Sequence, residues 1–234
     1  MAERKARADA LRNREAVLTA ADELFARSAS PRSVSMDDIA AAAGVGKGTL
    51  FRRFGDRTGL IRAVFEARIE PLRHAVEEGP APLGPSAAPR DRVPALLDAL
   101  LRFKLDHRHL SLALEEAGSG SPYEGASYAW WHGVLRETLE RLPDVVDGAA
   151  DAEGGGEGGG ESDGAEKGAG GGAVAGRAED CDFMAHALLA ATRADLVEYL
   201  AGQGGLTPAR MRARLAAYVS RVLGGGALGG GRAA

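Results

Sequence analysis

Apolar residues recur three and four positions apart along nearly all of this 234-residue chain, and nowhere do they settle into alternation. A spacing near 3.6 puts such residues on one side of a helix, whereas a strand needs a period of two, so the chain is expected to be all-α. Val17, Ala21, Leu24 and Phe25 line one face of a helix over 13–28, which Pro31 ends. Ser35 then stands before "MDDIAAAAGV" as an N-cap, with Asp37 and Asp38 at the positive end of the helix dipole. Ile39 with Ala42 or Ala43 forms that helix's inner face, and Gly44 closes it. A short third helix starts at about Gly46, and a longer fourth from Asp56 carries Leu60, Val64, Phe65 and Ile69 on one side.

The Pro-rich stretch "GPAPLGPSAAP" (79–89) separates these elements from helices expected at 91–105, 107–118 and 121–142. Two more follow: an apolar one over 179–202, and one at 207–223 with Thr207 as N-cap and Pro208 in the first helical position. About nine helices are expected in all. Residues 148–176 hold 13 glycines among 29 residues and no large apolar group, so that segment cannot repay its ordering entropy and is expected to be a flexible loop. The glycine-rich tail 224–234 is expected to be disordered for the same reason.

The lone cysteine, Cys181, excludes an internal disulfide. The charged N-terminus has no apolar run behind it, and no stretch reaches the roughly 18 apolar residues of a membrane span. A cytoplasmic protein with no membrane partner is the expectation. The net charge of −4 hides an asymmetry: residues 1–62 carry 12 Lys/Arg against 8 Asp/Glu, while the remainder is acidic. A cationic block at one end of an acidic body suits a polyanionic partner.

"GVGKGT" (44–49) looks like a nucleotide phosphate cradle, but the residues exclude it. A P-loop needs a glycine where Ala41 stands, a Ser or Thr where Gly48 stands, and a preceding strand where helix-forming alanines lie. A helix, a tight glycine turn and a second short helix make instead a helix-turn-helix, which sends its second helix into the major groove of DNA. Leu50 and Phe54, four apart, anchor that helix, and Val45 fills the turn. Lys47, Gly48, Thr49, Phe51, Arg52 and Arg53 are left facing outward, with Arg57 just beyond. Gly48 permits close approach to the sugar-phosphate backbone, and Arg52 and Arg53 suit a phosphate or a guanine edge.

"SMDDIAAAAGVGKGTLFRRFGDRTGLIRAVFE" strongly resembles the N-terminal module of TetR-family transcriptional regulators, over about residues 12–66. The resemblance implies that Ser35 caps the second helix near a phosphate, that Lys47, Gly48 and Thr49 meet DNA, and that Arg57 replaces the usual phosphate-binding lysine. Gly46 departs from the pattern where Ser or Thr commonly caps the recognition helix, and Phe51 lacks the hydroxyl of the commoner Tyr. The implied division is a helix-turn-helix domain with a basic N-terminal arm at 1–58 and a larger effector-binding and dimerisation domain at 59–223. In that family the last two long helices pair with their twofold mates. Leu188, Leu196, Tyr199, Met211, Leu215, Tyr218 and Val222 are the residues expected at such a face.

In the second module, Tyr128, Trp131 and His132 with Phe103, His107, Leu110, Leu114 and His186 have the apolar character and few polar tips of a small-molecule site; packing in the core is the competing reading. His107 and His109 lie two apart on different helix faces, and one cysteine makes no zinc set, so neither metal nor cofactor is expected. No nucleophile-base or paired-carboxylate arrangement points to an enzyme. The functional expectation is a homodimeric, ligand-responsive regulator, a repressor of its own or a neighbouring gene, released by a small-molecule effector from a pseudo-palindromic double-stranded operator. A sequence-nonspecific architectural DNA-binding protein is the alternative.

Overall fold

The computed structural model describes residues 1–28, 33–117, 125–142 and 169–224. Ten helices make up these residues, with no strand among them: α1 (Ala2–Arg27), α2 (Met36–Ala42), α3 (Lys47–Phe54), α4 (Arg57–Glu77), α5 (Pro89–Asp106), α6 (Arg108–Ala117), α7 (Ala126–Glu140), α8 (Ala169–Ala190), α9 (Ala194–Gly202) and α10 (Pro208–Leu223). α1 reaches back to Ala2 because the charged N-terminal residues, rich in Ala, Arg, Glu and Leu, are themselves good helix formers.

The first four helices share an apolar centre. Val17, Ala21 and Phe25 of α1 are buried with Ile39 and Ala40 of α2, Leu50 of α3, and Leu60, Val64 and Phe65 of α4. Of the two alanines expected as alternatives beside Ile39 on the inner face of α2, Ala42 is exposed and Ala43 is half-buried against the core, while Ala40 is also buried there. α4 runs on past the helix-turn-helix into the body, and the expected division after residue 58 falls within its first turn. Pro71 removes one main-chain donor from α4.

In the body, α7 packs along α8, α10 along α5, and α6 against α4 and α9. Arg92 of α5 is 4% exposed and holds three elements together. Its Nε donates to the Leu83 carbonyl at 3.0 Å, Nη1 to Thr138 Oγ1 at 3.2 Å and Nη2 to the Val76 carbonyl at 3.1 Å.

The structure departs from two further expectations in the second half of the chain. The single helix expected over 179–202 is two, interrupted between Ala190 and Ala194, where Thr192 Oγ1 donates to the Leu189 carbonyl at 2.9 Å. A threonine that bonds its own main chain competes with the helical ladder. The segment 169–176, expected as loop, is the first part of α8. Extending a helix from a packed segment such as Cys181–Leu189 costs far less than nucleating one. The remainder of that loop, 148–168, and the tail from 225 lie outside the described residues.

Candidate nucleic-acid interface

The geometry of the turn follows from three local devices. Ser35 Oγ accepts from the Asp38 amide at 3.1 Å while the Asp38 carboxylate accepts from the Ser35 amide at 3.1 Å, a reciprocal capping box that fixes where α2 begins. At the other end, Val45 N–H donates to the Ala40 carbonyl at 3.0 Å and Gly44 N–H to the Ala41 carbonyl at 3.2 Å. This Schellman closure places Gly44 at φ +65°, a conformation that costs a side-chain-bearing residue roughly 1–2 kcal/mol. Gly46 then caps α3 with extended backbone and no side-chain bond, the weaker cap foreseen from the sequence.

α3 is held by one fully buried residue, Leu50, with Phe54 and Val45 packed beside it. Everything else along it looks outward or sideways. Lys47 is exposed and pairs with Asp37 at 2.7 Å; its ammonium also lies 6.0 Å from the Phe51 ring centre. A Cβ added to Gly48 would meet nothing within 4 Å, so backbone here is open to a large partner. Phe51 is 39% exposed, and Thr49 is half-buried.

The three arginines differ. Arg53 Nη1 donates to the Ala10 carbonyl of α1 at 2.6 Å, and Arg57 Nε donates to the Val34 carbonyl at 3.2 Å with its guanidinium 5.7 Å from the Phe25 ring. Both brace the module. Arg52 is exposed, with no hydrogen bond or ion pair among the described residues. Sequence alone cannot rank the three, because the partners of Arg53 and Arg57 are main-chain carbonyls and a ring brought near by folding.

Gly59 was not singled out from sequence. A Cβ there would lie 2.1 Å from the Phe54 carbonyl oxygen, so the start of α4 presses against the end of α3 only with glycine at this position. Asp56 caps α4 by accepting from the Gly59 amide at 2.7 Å. The spacing between α3 and α4 thus depends on both residues.

The residues expected to form an effector site are distributed over several places. Phe103 and His107 contact each other at 4.8 Å and, with Leu72, Leu83 and Arg102, line a groove of about 390 Å³ beside α4 and α5. Leu110 and Trp131 are 2% and 3% exposed and belong to the core, with Leu114 packed partly against it. Trp130 is the outward member of the tryptophan pair, under the Arg73 guanidinium at 5.4 Å and donating to Glu77. Tyr128, His132 and His186 form a stacked group between α7 and α8. Burial, then the negative charge of Glu140, pushes the Cys181 thiol up in pKa, which keeps it in its unreactive form.

Of the residues expected at a twofold face, Leu188, Met211 and Leu215 are buried within the protomer, Val222 is half-buried, and Leu196, Tyr199 and Tyr218 are exposed. Their burial follows from α10 lying along α5 and α8 along α7, which consumes the inner half of each helix's apolar surface. Phe183 of α8, 75% exposed, is not among the residues expected from the sequence; its only local signal is an aromatic residue directly after Asp182.

An all-helical protein with an outward-facing helix-turn-helix at its N-terminal end is the class these features define. Residues 17–64 match the family model described as bacterial regulatory proteins, tetR family. That match runs from the second half of α1 into α4 and spans the helix-turn-helix. The chain is 33% identical over 76 residues to an HTH-type transcriptional regulator of Staphylococcus aureus (strain MRSA252), a match spanning 32% of this chain and 40% of the relative. The fold is similar to that of a protein from Rhodococcus sp. assigned to the TetR-family transcriptional regulators, with a TM-score of 0.58 at 20% identity, covering 90% of this chain and 98% of that one. A TetR-like transcriptional regulator from Rhodococcus sp. RHA1 gives a TM-score of 0.55 at 20% identity, covering 92% and 97%. No helix among the described residues is long and apolar enough to cross a membrane.

Proposed function

We propose that this chain is a homodimeric DNA-binding transcriptional regulator, a repressor of its own or a neighbouring gene that a small-molecule effector releases from a pseudo-palindromic operator. The observation that carries the reading is the exposure of α3: one buried leucine anchors it, while Lys47, Gly48, Phe51 and Arg52 lie open to a double strand. The α3 amides add a positive dipole end for phosphate. Arg53 and Arg57 set the pitch of the helix, and Arg52 reaches the base edges or a phosphate. Two such helices read half-sites about one or more helical turns apart.

The groove beside Phe103 and His107 touches α4 through Leu72, which supports a route from effector to recognition helix along α4. Such a route acts only if the effector binds the two conformers with different affinity. Exposed Phe183, Leu196, Tyr199 and Tyr218 on α8 to α10 supply apolar surface for the second copy.

The test is binding of the full chain to DNA from upstream of its own gene and to the same DNA scrambled, by fluorescence anisotropy at rising salt. The operator is expected to bind at least about 10³-fold more tightly than the scrambled duplex. With about 6–10 phosphate contacts, affinity falls roughly 10³–10⁵-fold between 50 and 200 mM salt. Equal affinity for the two duplexes makes the protein an architectural binder and overturns the proposal.

A further inference from the structure

We propose that α7 and α8 form a binding site for a borderline divalent transition-metal ion such as Zn²⁺, with His132, Asp182 and His186 as its protein ligands. The three come from two helices. His132 lies on α7, and Asp182 and His186 lie one turn apart on α8. Their ligand atoms all fall within 4.8 Å of one another. His132 Nε2 is 3.4 Å from one oxygen of the Asp182 carboxylate, and His186 Nε2 is 3.7 Å from the other. The two imidazole rings are stacked 4.0 Å apart.

Those separations suit an ion better than direct bonds. An N–H···O bond brings its heavy atoms to about 2.7–3.2 Å, closer than either imidazole stands to the carboxylate. Ligands at about 2.0–2.2 Å from a tetrahedral ion lie roughly 3.3–3.5 Å from each other, near the spacing already present. Small side-chain rotations close the remainder.

The surroundings prepare the donor atoms. Tyr128, one turn before His132, places its hydroxyl 2.6 Å from His186 Nδ1. When that ring nitrogen donates to the tyrosine oxygen, Nε2 is the nitrogen of His186 that carries the lone pair, on the side facing Asp182, the second-sphere arrangement usual behind a ligating histidine. His132 Nε2 is also 3.3 Å from the Asp182 main-chain carbonyl, a contact it exchanges for the metal. The carboxylate offsets one of the two positive charges. Two imidazoles and one carboxylate favour Zn²⁺, Ni²⁺, Co²⁺ or Cu²⁺ over Mg²⁺ and Ca²⁺, which prefer oxygen alone. All three residues are half-buried, so an ion can enter without the fold opening.

The metal would tie α7 to α8 across the 143–168 segment that joins them in sequence. That holds whether or not the chain binds DNA. The experiment is calorimetric titration of chelator-treated full-length protein with Zn²⁺ and, separately, Mg²⁺. One Zn²⁺ per chain is expected with a Kd of about 1 μM or tighter, and no Mg²⁺ heat at millimolar levels. His132→Gln and His186→Gln each weaken Zn²⁺ binding by about 100-fold or more, Tyr128→Phe by about 10-fold, and His109→Ala leaves it unchanged. Co²⁺ on the wild-type chain should give visible d–d bands without a thiolate-to-cobalt band. Failure to bind Zn²⁺ below about 100 μM overturns the site, as does wild-type affinity in a His132→Gln/His186→Gln double variant of native circular dichroism. So does a thiolate band, which would place the metal on Cys181.

Discussion

Arg52 on α3 and Arg92 on α5 are the same residue type in opposite surroundings. Arg52 stands in solvent with no partner among the described residues, whereas Arg92 spends all three of its donor nitrogens on Val76, Leu83 and Thr138. Burial, then the like charge of Arg141, lowers the Arg92 pKa, and the group stays charged because arginine starts so high. No carboxylate among the described residues bonds to it. The hydrogen bonds alone justify a charge in the core, and they bridge the end of α4, the link to α5, and α7. An arginine satisfied internally contributes to stability; one left bare on an exposed helix is available to another molecule.

The comparison breaks most readily at Arg92. Arg92→Met keeps much of the volume but leaves two carbonyls and a hydroxyl buried without their donor, each of which is costly. A loss of about 2–4 kcal/mol is expected, seen as a fall of roughly 4–15 °C in the thermal midpoint. DNA affinity of the fraction that remains folded should be unchanged. A midpoint within about 1 °C of wild type would mean that Arg92 contributes no net stability.

Arg52→Ala should do the reverse. Loss of one base or phosphate contact is worth about 1–3 kcal/mol, or roughly 5–150-fold in operator affinity, with the thermal midpoint unmoved. If Arg52 reads a base, the loss falls on the operator and spares scrambled DNA; if it grips a phosphate, both duplexes weaken alike. Arg53→Ala separates position from contact, since it removes the bond to the Ala10 carbonyl and so lowers the midpoint as well. Operator affinity equal to wild type for Arg52→Ala would show that α3 meets DNA through other residues, or not at all.

How much of this could be read beforehand differs along the chain. The helix-turn-helix was legible because its signals are local: a serine cap with its acid three residues on, a glycine at the αL position, apolar residues at fixed intervals. The interruption of α8 from α9 was missed because Thr192 bonding its own main chain competes weakly with a strongly apolar helical pattern. The second module was less legible still. His132 and His186 were singled out, but not Asp182 between them in space, because the contact crosses 50 residues of sequence and two helices. The burial of Leu188, Met211 and Leu215 had a similar origin: a broad apolar stripe does not reveal which half faces its own protomer.

The smallest effect lies between these extremes, at Asp98. It accepts from Arg212 of α10 at 2.6 and 2.9 Å and from Arg102 of its own helix at 3.1 Å. The Arg212 bonds hold its carboxyl below the usual aspartate range, burial opposes them, and the Arg102 charge assists. A carboxyl whose pKa is lower folded than unfolded stabilises the fold above its ordinary pKa near about 4, and that contribution fades as pH falls through the depressed value. The side chains of Asp98 and Arg212 are 31% and 37% exposed, so screening limits the pair to about 0.5–1 kcal/mol. Asp98→Asn should therefore lower the midpoint by roughly 1–3 °C at pH 7, with the gap closing progressively below about pH 4. The Arg92→Met gap should hold constant over that range, since its acceptors do not titrate. A gap for Asp98→Asn that persists once the wild-type carboxyl is protonated would assign Asp98 to packing, and would leave hydrogen bonds to neutral groups as the way this body uses its arginines.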